Sequence, residues 1–331
     1  MTRRILWWPL LALATPLADC DGTPTVDGGA AEVLVVADVA GMALCGDYLY
    51  WTGRSCNDAG TSLGVDLNRM SVDGGATDML ASAYGAYMAC DSNYLYFWDG
   101  AQQLSRLDLA NDTVETLTTA RVNMTGSIAV NTNGVFWVDV SGAHTVVDGG
   151  VVDIATIAAN EGLAADQDHL FFGFHELNGD AGIMAVVVDG SAPTAAWEGQ
   201  SASAIALSSR DLWWLAQTAS GTTSLVKMPR DGGAAVTLIA DAGNVFTSYA
   251  NSLIVDSEHV YWLPTFEEVS RVALDGSGLA NVFNGTSVPA PLNHTISGIV
   301  GNATSLFVGI DARDIPPNGP TICGGIVRVP K

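Results

Sequence analysis

The sequence predicts an all-β fold, a seven-bladed β-propeller with four strands in each blade. Three repeating features predict it: a triplet of apolar and small residues, a second apolar residue seven positions after each triplet begins, and aromatic residues directly after that second position. Successive triplets begin 35 to 48 residues apart, which is the period of a propeller blade. The triplets begin at Met42, Met88, Ile128, Leu163, Ile205, Leu253 and Ile299, and the second positions are Leu49, Leu95, Val135, Leu170, Leu212, Val260 and Leu306.

Each repeat predicts a hairpin of a first and a second strand. A short polar residue stands three positions after most triplet starts, and such side chains accept hydrogen bonds from nearby backbone and close tight turns. The aromatic residues that follow are strand formers that pack between sheets. The polar turn residues are Asp91, Asn131, Asp166, Ser208, Asp256 and Asn302.

A third and a fourth strand follow in each repeat, around a second turn. Asp-Gly between two alternating segments is a strong signal for such a hairpin. The predicted turns contain Asp73-Gly74, Asp148-Gly149, Asp189-Gly190, Asp231-Gly232 and Asp275-Gly276, and the second repeat uses Ala110-Asn111-Asp112.

The two ends of the chain predict how the last blade is completed. Residues 325–331 supply only a third strand, whereas residues 32–36 are a strand without a hairpin partner of their own. We therefore expect the N-terminal strand to pair into the last blade and remove the free sheet edges. The predicted organisation is an export signal in residues 1–19, a lipidated Cys20 with a tether in residues 20–31, and the propeller in residues 32–331.

Two segments resemble those of secreted or lipid-anchored bacterial β-propellers with degenerate repeats, in the style of YWTD, NHL and TolB-type propellers. They are residues 256–262 (DSEHVYW) and residues 226–233 (VKMPRDGG). Tyr50-Trp51-Thr52 approaches the YWTD signature, with Gly53 in place of its aspartate. The resemblance implies a fold and a location outside the cytoplasm, and it implies no activity because propellers carry many functions.

The N-terminus indicates export. Arg3 and Arg4 precede an apolar stretch, residues 5–14, as in a secretory signal. Residues 17–20 (LADC) resemble the bacterial lipobox, which implies diacylation of Cys20 and a lipid anchor in the cell envelope. Asp19 stands where the lipobox has Gly, Ala or Ser, so ordinary signal cleavage, with a periplasmic or secreted product, or an uncleaved anchor remain alternatives.

Four further cysteines predict two disulfides in an oxidising compartment. Cys45 and Cys90 fall in the first-to-second turns of neighbouring repeats, and Cys56 and Cys323 fall in second-to-third loops of the first and last repeats. The other pairings would join opposite faces of the propeller or span a strand length. We therefore expect Cys45–Cys90 and Cys56–Cys323.

The charge balance excludes nucleic acid as a partner. The 331 residues include 35 Asp and Glu against 13 Lys and Arg, a formal net charge of -22, which repels phosphate backbones. After the N-terminus no apolar run reaches the roughly 20 residues of a membrane-spanning helix. We expect a monomer that contacts the membrane only through its anchor.

Loops that leave the second strands carry carboxylates, which predict a Ca²⁺ site or a site for a cationic ligand because hard cations prefer oxygen ligands. The alternative is solvated surface carboxylates on an acidic protein that requires no cofactor. The candidate residues are Asp99, Asp139, Glu176, Glu267 and Asp311.

We expect a non-catalytic binding or scaffold protein that presents these loops to a protein, peptide or glycan. The sequence contains no catalytic motif in its proper context: residues 60–64 match G-x-S-x-G but lack the strand-to-helix turn that this motif requires. One alternative is a carbohydrate-active hydrolase or lyase with an acidic or Ca²⁺-dependent site at the channel mouth. Another is a purely structural envelope protein.

Overall fold

The computed structural model describes residues 31–53, 65–118, 126–157, 162–175, 180–188, 192–217, 221–243, 251–288, 295–311 and 324–331. Within these ranges the chain forms 27 strands and one short 3-10 helix, Gly285–Ser287. The strands are β1 (Glu32–Val36), β2 (Gly41–Cys45), β3 (Tyr48–Gly53), β4 (Val65–Ser71), β5 (Asp78–Cys90), β6 (Tyr94–Asp99), β7 (Leu104–Asp108), β8 (Val114–Thr116), β9 (Ile128–Asn131), β10 (Gly134–Asp139), β11 (Gly142–Val147), β12 (Gly150–Ala155), β13 (Leu163–Ala165), β14 (His169–His175), β15 (Ala181–Val187), β16 (Thr194–Glu198), β17 (Ser201–Leu207), β18 (Asp211–Gln217), β19 (Thr223–Pro229), β20 (Val236–Gly243), β21 (Leu253–Val255), β22 (His259–Thr265), β23 (Glu268–Ala273), β24 (Ala280–Asn284), β25 (Ile296–Gly301), β26 (Ser305–Ile310) and β27 (Gly325–Pro330).

These strands form antiparallel sheets in which neighbours along the chain are also neighbours in space. Four sheets contain four consecutive strands each, in the order β9 to β12, β13 to β16, β17 to β20 and β21 to β24. A fifth joins β25, β26 and β27 with β1, and a seven-stranded sheet runs from β2 to β8. The predicted all-β class and the predicted four-stranded units are therefore present.

The seven-stranded sheet differs from the predicted separation of the first two repeats. β5 is one continuous strand that serves as the fourth strand of the first repeat and the first strand of the second. Its pairing register shifts between Ala83 and Met88, where Gly85 has a φ of 75°. A bulge of this kind bends a strand without ending it, so two repeats share one strand instead of being divided by a loop.

The sequence repeat corresponds to the first and second strands. Every triplet lies in a first strand, and every second apolar position lies in a second strand and is at most 4% exposed. The aromatic residues that follow are also buried, as predicted from their repetition. They form layers between neighbouring sheets: Trp98 and Trp137, for example, meet edge to face with ring centroids 5.9 Å apart.

The first strands contact one another in chain order. β2 contacts β5, and the series continues through β9, β13, β17, β21 and β25. β25 in turn contacts β2. The first strands are therefore the part of each sheet that lies nearest the neighbouring sheets.

The N-terminal strand pairs with the C-terminal strand, as the sequence predicts. β1 runs antiparallel to β27, with Val33 opposite Val327, and Val33 is buried in the core of the last sheet. The Ala37 amide extends this pairing by donating to the Gly324 carbonyl at 3.1 Å. β1 and β2 are close in sequence, yet they belong to different sheets.

One of the two predicted disulfides is present. Cys45, at the end of β2, is bonded to Cys90, at the end of β5, and their Cα atoms lie 6.0 Å apart. The bridge joins the first strands of two neighbouring repeats. Cys56 and Cys323 lie outside the described residues.

Residues 1–30, with the predicted export signal and Cys20, also lie outside the described residues. In the part of the chain that the structure describes, no helix has the length and apolarity of a membrane-spanning segment.

A tight contact fixes the start of β11. Gly142 has a φ of 144°, and a Cβ added there would lie 1.9 Å from the Ala155 carbonyl oxygen on β12. The register between β11 and β12 shifts next to this contact, so the glycine permits a bulge between the third and fourth strands. Gly150, in the same hairpin, has no such restriction. A Cβ added there would come no closer than 3.5 Å to the Val147 carbonyl oxygen, which is an ordinary van der Waals contact.

We predict that Gly142→Ala destabilises the protein by more than about 1 kcal/mol, because alanine is strained at this φ and would collide with the backbone. Gly150→Ala is the matched control, with an expected change within about 0.5 kcal/mol. Urea unfolding of both variants measures the difference. Equal stabilities would show that the β11–β12 contact does not constrain the backbone.

Candidate functional site

The sheets have two edges with different chemistry. We call the edge with the first-to-second turns the turn face and the edge where second strands end the loop face. The loop face is defined by the described turns that follow Asp99, Asp139 and Thr265, together with the residues that end the second strands. Those residues are Gly53, Asp99, Asp139, His175, Gln217, Thr265 and Ile310.

The turn face is built from the polar turn residues that the sequence predicts. Asp91 Oδ1 accepts hydrogen bonds from the amides of Asn93 and Tyr94 at 2.7 and 2.8 Å. Asp166, Asp256 and Asn302 accept the equivalent pair of amide bonds, Ser208 does so through its hydroxyl, and Asn131 accepts one such bond. The role of these side chains is to close the turns.

Two turn-face carboxylates also bind cations from neighbouring sheets. Asp166 pairs with Arg230 at 2.5 Å, and Asp256 pairs with Lys331 at 2.7 Å. Burial disfavours the ionised form of both carboxylates and so raises their pKa. The amide hydrogen bonds and the adjacent cation outweigh this effect and hold the pKa of each below its usual value. These two ion pairs link neighbouring sheets, and each of the two carboxylates has a cationic partner.

A second set of cations lies at one equivalent position of the third strands, directly opposite a second-strand aromatic residue. Arg69 is one of these cations. Its guanidinium lies 5.1 Å from the Tyr48 ring centroid and forms an ion pair with Asp112 of the next repeat. Lys227 lies 4.9 Å from the Trp213 ring centroid and donates to the Leu274 carbonyl at 2.6 Å. The cation and aromatic pairs are Arg69 and Tyr50, Arg106 and Tyr96, Lys227 and Trp213, Arg271 and Tyr261, and Arg328 and Phe307.

At the loop face, Asp99 holds its own turn. Its Oδ1 accepts the amides of Ala101 and Gln103 at 2.8 and 3.0 Å, and its Oδ2 accepts the Ser105 hydroxyl at 2.9 Å. These bonds fix the connection between β6 and β7. They explain the aspartate at this position by local structure alone.

Asp139 belongs to a cluster of chemically reactive side chains at the β10–β11 turn. His144 lies between two carboxylates, with Nε2 3.0 Å from Asp139 Oδ1 and Nδ1 2.9 Å from Asp153 Oδ1. The hydroxyl of Ser141 lies 3.2 Å from Nε2 and also donates to Asp139. Trp137 stacks on the imidazole with ring centroids 5.5 Å apart.

This arrangement contains a serine, a histidine and an aspartate in hydrogen-bonding order, but its protons are placed unfavourably for catalysis. The Ser141 hydroxyl donates to Asp139 Oδ1 at 2.5 Å, so its proton is directed at the carboxylate and not at His144. A serine nucleophile would instead have to give this proton to the imidazole, acting as general base. Burial raises the pKa of Asp139, but its bonds from Ser141 and His144 outweigh this and lower it, which keeps the carboxylate ionised.

The remaining predicted residues are separate from this cluster. Asp311 follows β26 and is 1% exposed, whereas Glu267 is an exposed residue of the β22–β23 turn. Glu176 lies outside the described residues. Among the residues that the structure describes, no three His, Cys, Asp or Glu side chains form a group that could hold a metal ion, so the Ca²⁺ site stays a prediction.

The loop face also contains an open cavity of about 540 Å³ at the sheet formed by β13 to β16. It lies where β14 ends, β15 begins and β16 ends, since Gly182 pairs with Glu198 at this edge. Its size is within the range of small-molecule and side-chain binding sites. It is lined by Phe174, Asp180, Ala181, Met184, Ala195, Glu198 and Gly199.

The cavity has an apolar floor and an acidic rim. Phe174 and Met184 are buried and belong to the core layer shared with the β9–β12 sheet. Asp180 and Glu198 are exposed, and they are the ionisable residues among the described ones that line the cavity. The candidate residues from the sequence lie on the same face, but the cavity could not be predicted because its lining residues share no spacing pattern.

The fold has counterparts among solved structures. The chain is similar to a puromycin-hydrolysing peptidase from Mycobacterium tuberculosis at 14% identity and a TM-score of 0.62, with 90% of this chain and 51% of that one covered. It is similar to an oligogalacturonate lyase from Vibrio parahaemolyticus at 9% identity and a TM-score of 0.63, with 93% and 96% covered. An oligogalacturonate lyase in complex with manganese matches at 11% identity and a TM-score of 0.61, with 93% and 95% covered.

The fold is a β-propeller. This chain spans about half the length of the peptidase and nearly the full length of the lyase. At these identities the likeness concerns the fold alone. No family model matches the sequence, and no curated protein matches it.

We predict that Asp139→Asn lowers stability at neutral pH by about 1–3 kcal/mol, because it removes an ionised acceptor from His144 and Ser141. The folded pKa of Asp139 is below its usual 3.8. Its contribution is therefore complete above the unfolded pKa and is lost as the pH falls through the folded value. Urea unfolding near neutral pH and near pH 3 measures this contribution. The difference in the free energy of unfolding between Asp139→Asn and wild type should be smaller near pH 3.

The matched control for this variant is Asp148→Asn. Asp148 is exposed in the turn that follows β11, and its φ of 51° suits asparagine. We expect its stability to stay within about 0.5 kcal/mol of wild type at both pH values. An Asp139→Asn variant that behaves like this control would contradict the structural role of the cluster.

Proposed function

We propose that this chain is an exported, non-catalytic binding protein, a seven-bladed propeller anchored by lipid at Cys20, which presents its loop face to a protein, peptide or glycan. The observation that carries the proposal is the loop-face cavity. A cavity with an apolar floor and a polar rim has the composition of a binding site. Each further element of the proposal rests on separate support.

Closure of the seven repeats into one ring is supported by a contact that recurs between sheets. Lys227 donates to the Leu274 carbonyl at 2.6 Å, and Arg328, at the equivalent position of the last repeat, donates to the Val72 carbonyl of the first at 3.1 Å. Leu274 and Val72 are themselves equivalent, each being the first residue after a third strand. The last and first repeats thus meet as two consecutive repeats do.

The cell-envelope location is supported from both parts of the chain. The Cys45–Cys90 disulfide is typical of proteins from oxidising compartments. The basic and apolar N-terminus and the lipobox-like segment before Cys20 have the features of a lipoprotein export signal. Under this proposal the lipid is the protein's contact with the membrane, and the propeller acts as a monomer.

Binding is favoured over catalysis because two of the predicted loop-face carboxylates, Asp99 and Asp139, already have structural partners. Asp99 closes its turn, and Asp139 holds both His144 and Ser141. A hydrolase or lyase of carbohydrate, with an acidic or Ca²⁺-dependent site, is the alternative. The solved structures include a peptidase and a lyase, two different chemistries on similar folds, so the fold does not favour one reaction.

The proposal is tested by exposing the purified exported protein to a random heptapeptide display library and to an array of bacterial and plant cell-wall glycans. We expect selected ligands to lose at least about tenfold in affinity when Ala195→Trp fills the cavity. Ala234→Trp, at an exposed residue of the turn face, is the control and should bind as wild type does.

Two outcomes would contradict this function. Ligands that bind Ala195→Trp and wild type equally would place recognition outside the cavity. Cleavage of an array glycan by the wild-type protein would support the enzyme alternative instead.

A further inference from the structure

We infer that the loop-face cavity takes a cationic group carried on an apolar stem, namely a lysine or arginine side chain of a partner peptide. The inference rests on the proposed binding function and specifies its ligand. It follows from the floor, the rim and the charge surrounding the cavity.

The floor is suited to a methylene stem. Phe174 is 6% and Met184 8% exposed, and both pack into the apolar layer between the β9–β12 and β13–β16 sheets. An unbranched thioether adapts its shape to a ligand better than a branched side chain does. Long cationic side chains bury their stems along such surfaces and leave the charged head at the rim.

The rim is suited to the charged head. Glu198 ends β16 and is exposed at the cavity, and Asp180, the residue before β15, also lines it. The backbone pairing of Gly182 with Glu198 holds these two strand ends side by side. A cation at this point meets the Glu198 carboxylate at the end of β16.

The charge of the chain favours the same ligand. The formal net charge is -22, and the described residues that line the cavity include no Lys, Arg or His. Four of the five third-strand cations have partners elsewhere: Arg69 and Arg106 bind carboxylates, and Lys227 and Arg328 bind backbone carbonyls. An anionic ligand would meet repulsion at the rim, whereas a cationic one is attracted at long range and held at the opening.

The experiment follows the Met184 methyl group by NMR in protein labelled with ¹³C-methyl methionine, with the signal assigned by its loss in Met184→Leu. The probes are Nα-acetyl-lysine methylamide, its neutral Nε-acetyl derivative and the norleucine analogue, which keeps the stem without the charge. We expect the lysine probe to shift the Met184 signal saturably and to bind about fivefold or more tightly than either neutral probe. Added salt should weaken the binding of the lysine probe, because it screens the attraction between the two charges.

Glu198→Gln separates the charge of the rim from its shape. We expect the variant to bind the lysine probe about threefold or more weakly and to leave the norleucine probe unchanged. The matched control is Glu258→Gln, because Glu258 is exposed on the turn face. It should bind both probes as wild type does.

Equal affinities for the lysine and norleucine probes would overturn the inference, and so would a Met184 signal that no probe shifts. Either result would leave the proposed function standing if library or array ligands still lose affinity in Ala195→Trp. If the library or array ligands also bound Ala195→Trp as tightly as wild type, both the inference and the proposed function would be contradicted.

Discussion

The pairing of β1 with β27 is the constraint on which the rest of the structure depends. It places residues from the two ends of the described chain in one sheet, with Val33 buried against Val327 and Arg328 bonded to Glu32. β1 thus covers the backbone edge of β27 and completes the last four-stranded unit. Since β25 of the same sheet contacts β2, this unit also supports the first strand of the first repeat.

Several of the few cations of this acidic chain connect neighbouring repeats, and the two faces differ in how their carboxylates are satisfied. Third-strand cations pair with aromatic rings, carbonyls and carboxylates, and Arg230 and Lys331 neutralise turn-face carboxylates. The loop face instead satisfies Asp99 and Asp139 with amides, hydroxyls and a histidine. The cavity lies on this face too, with the exposed Glu198 among its lining residues.

The sequence repeat predicts those parts of the fold that depend on local pattern. The hairpins, the turn-closing side chains, the Cys45–Cys90 bridge and the pairing of β1 with the last unit all follow from spacing and turn chemistry. The continuous β5 was not predictable, because a bulge at Gly85 replaces a loop without a distinctive sequence. Asp139 was correctly placed on the loop face, but its partners His144 and Asp153 meet it only through strand pairing, and the cavity depends on how two sheets pack.

Hydrogen exchange of the β1 amides tests the central claim, a ring held closed by the N-terminal strand, most directly. The account predicts that the amides of β1 that bond to β27 exchange as slowly as those of β26 and β27, and that they open together with that sheet when denaturant is added. Exchange of the β1 amides at the rate of an unstructured peptide, while β26 and β27 stay protected, would contradict it.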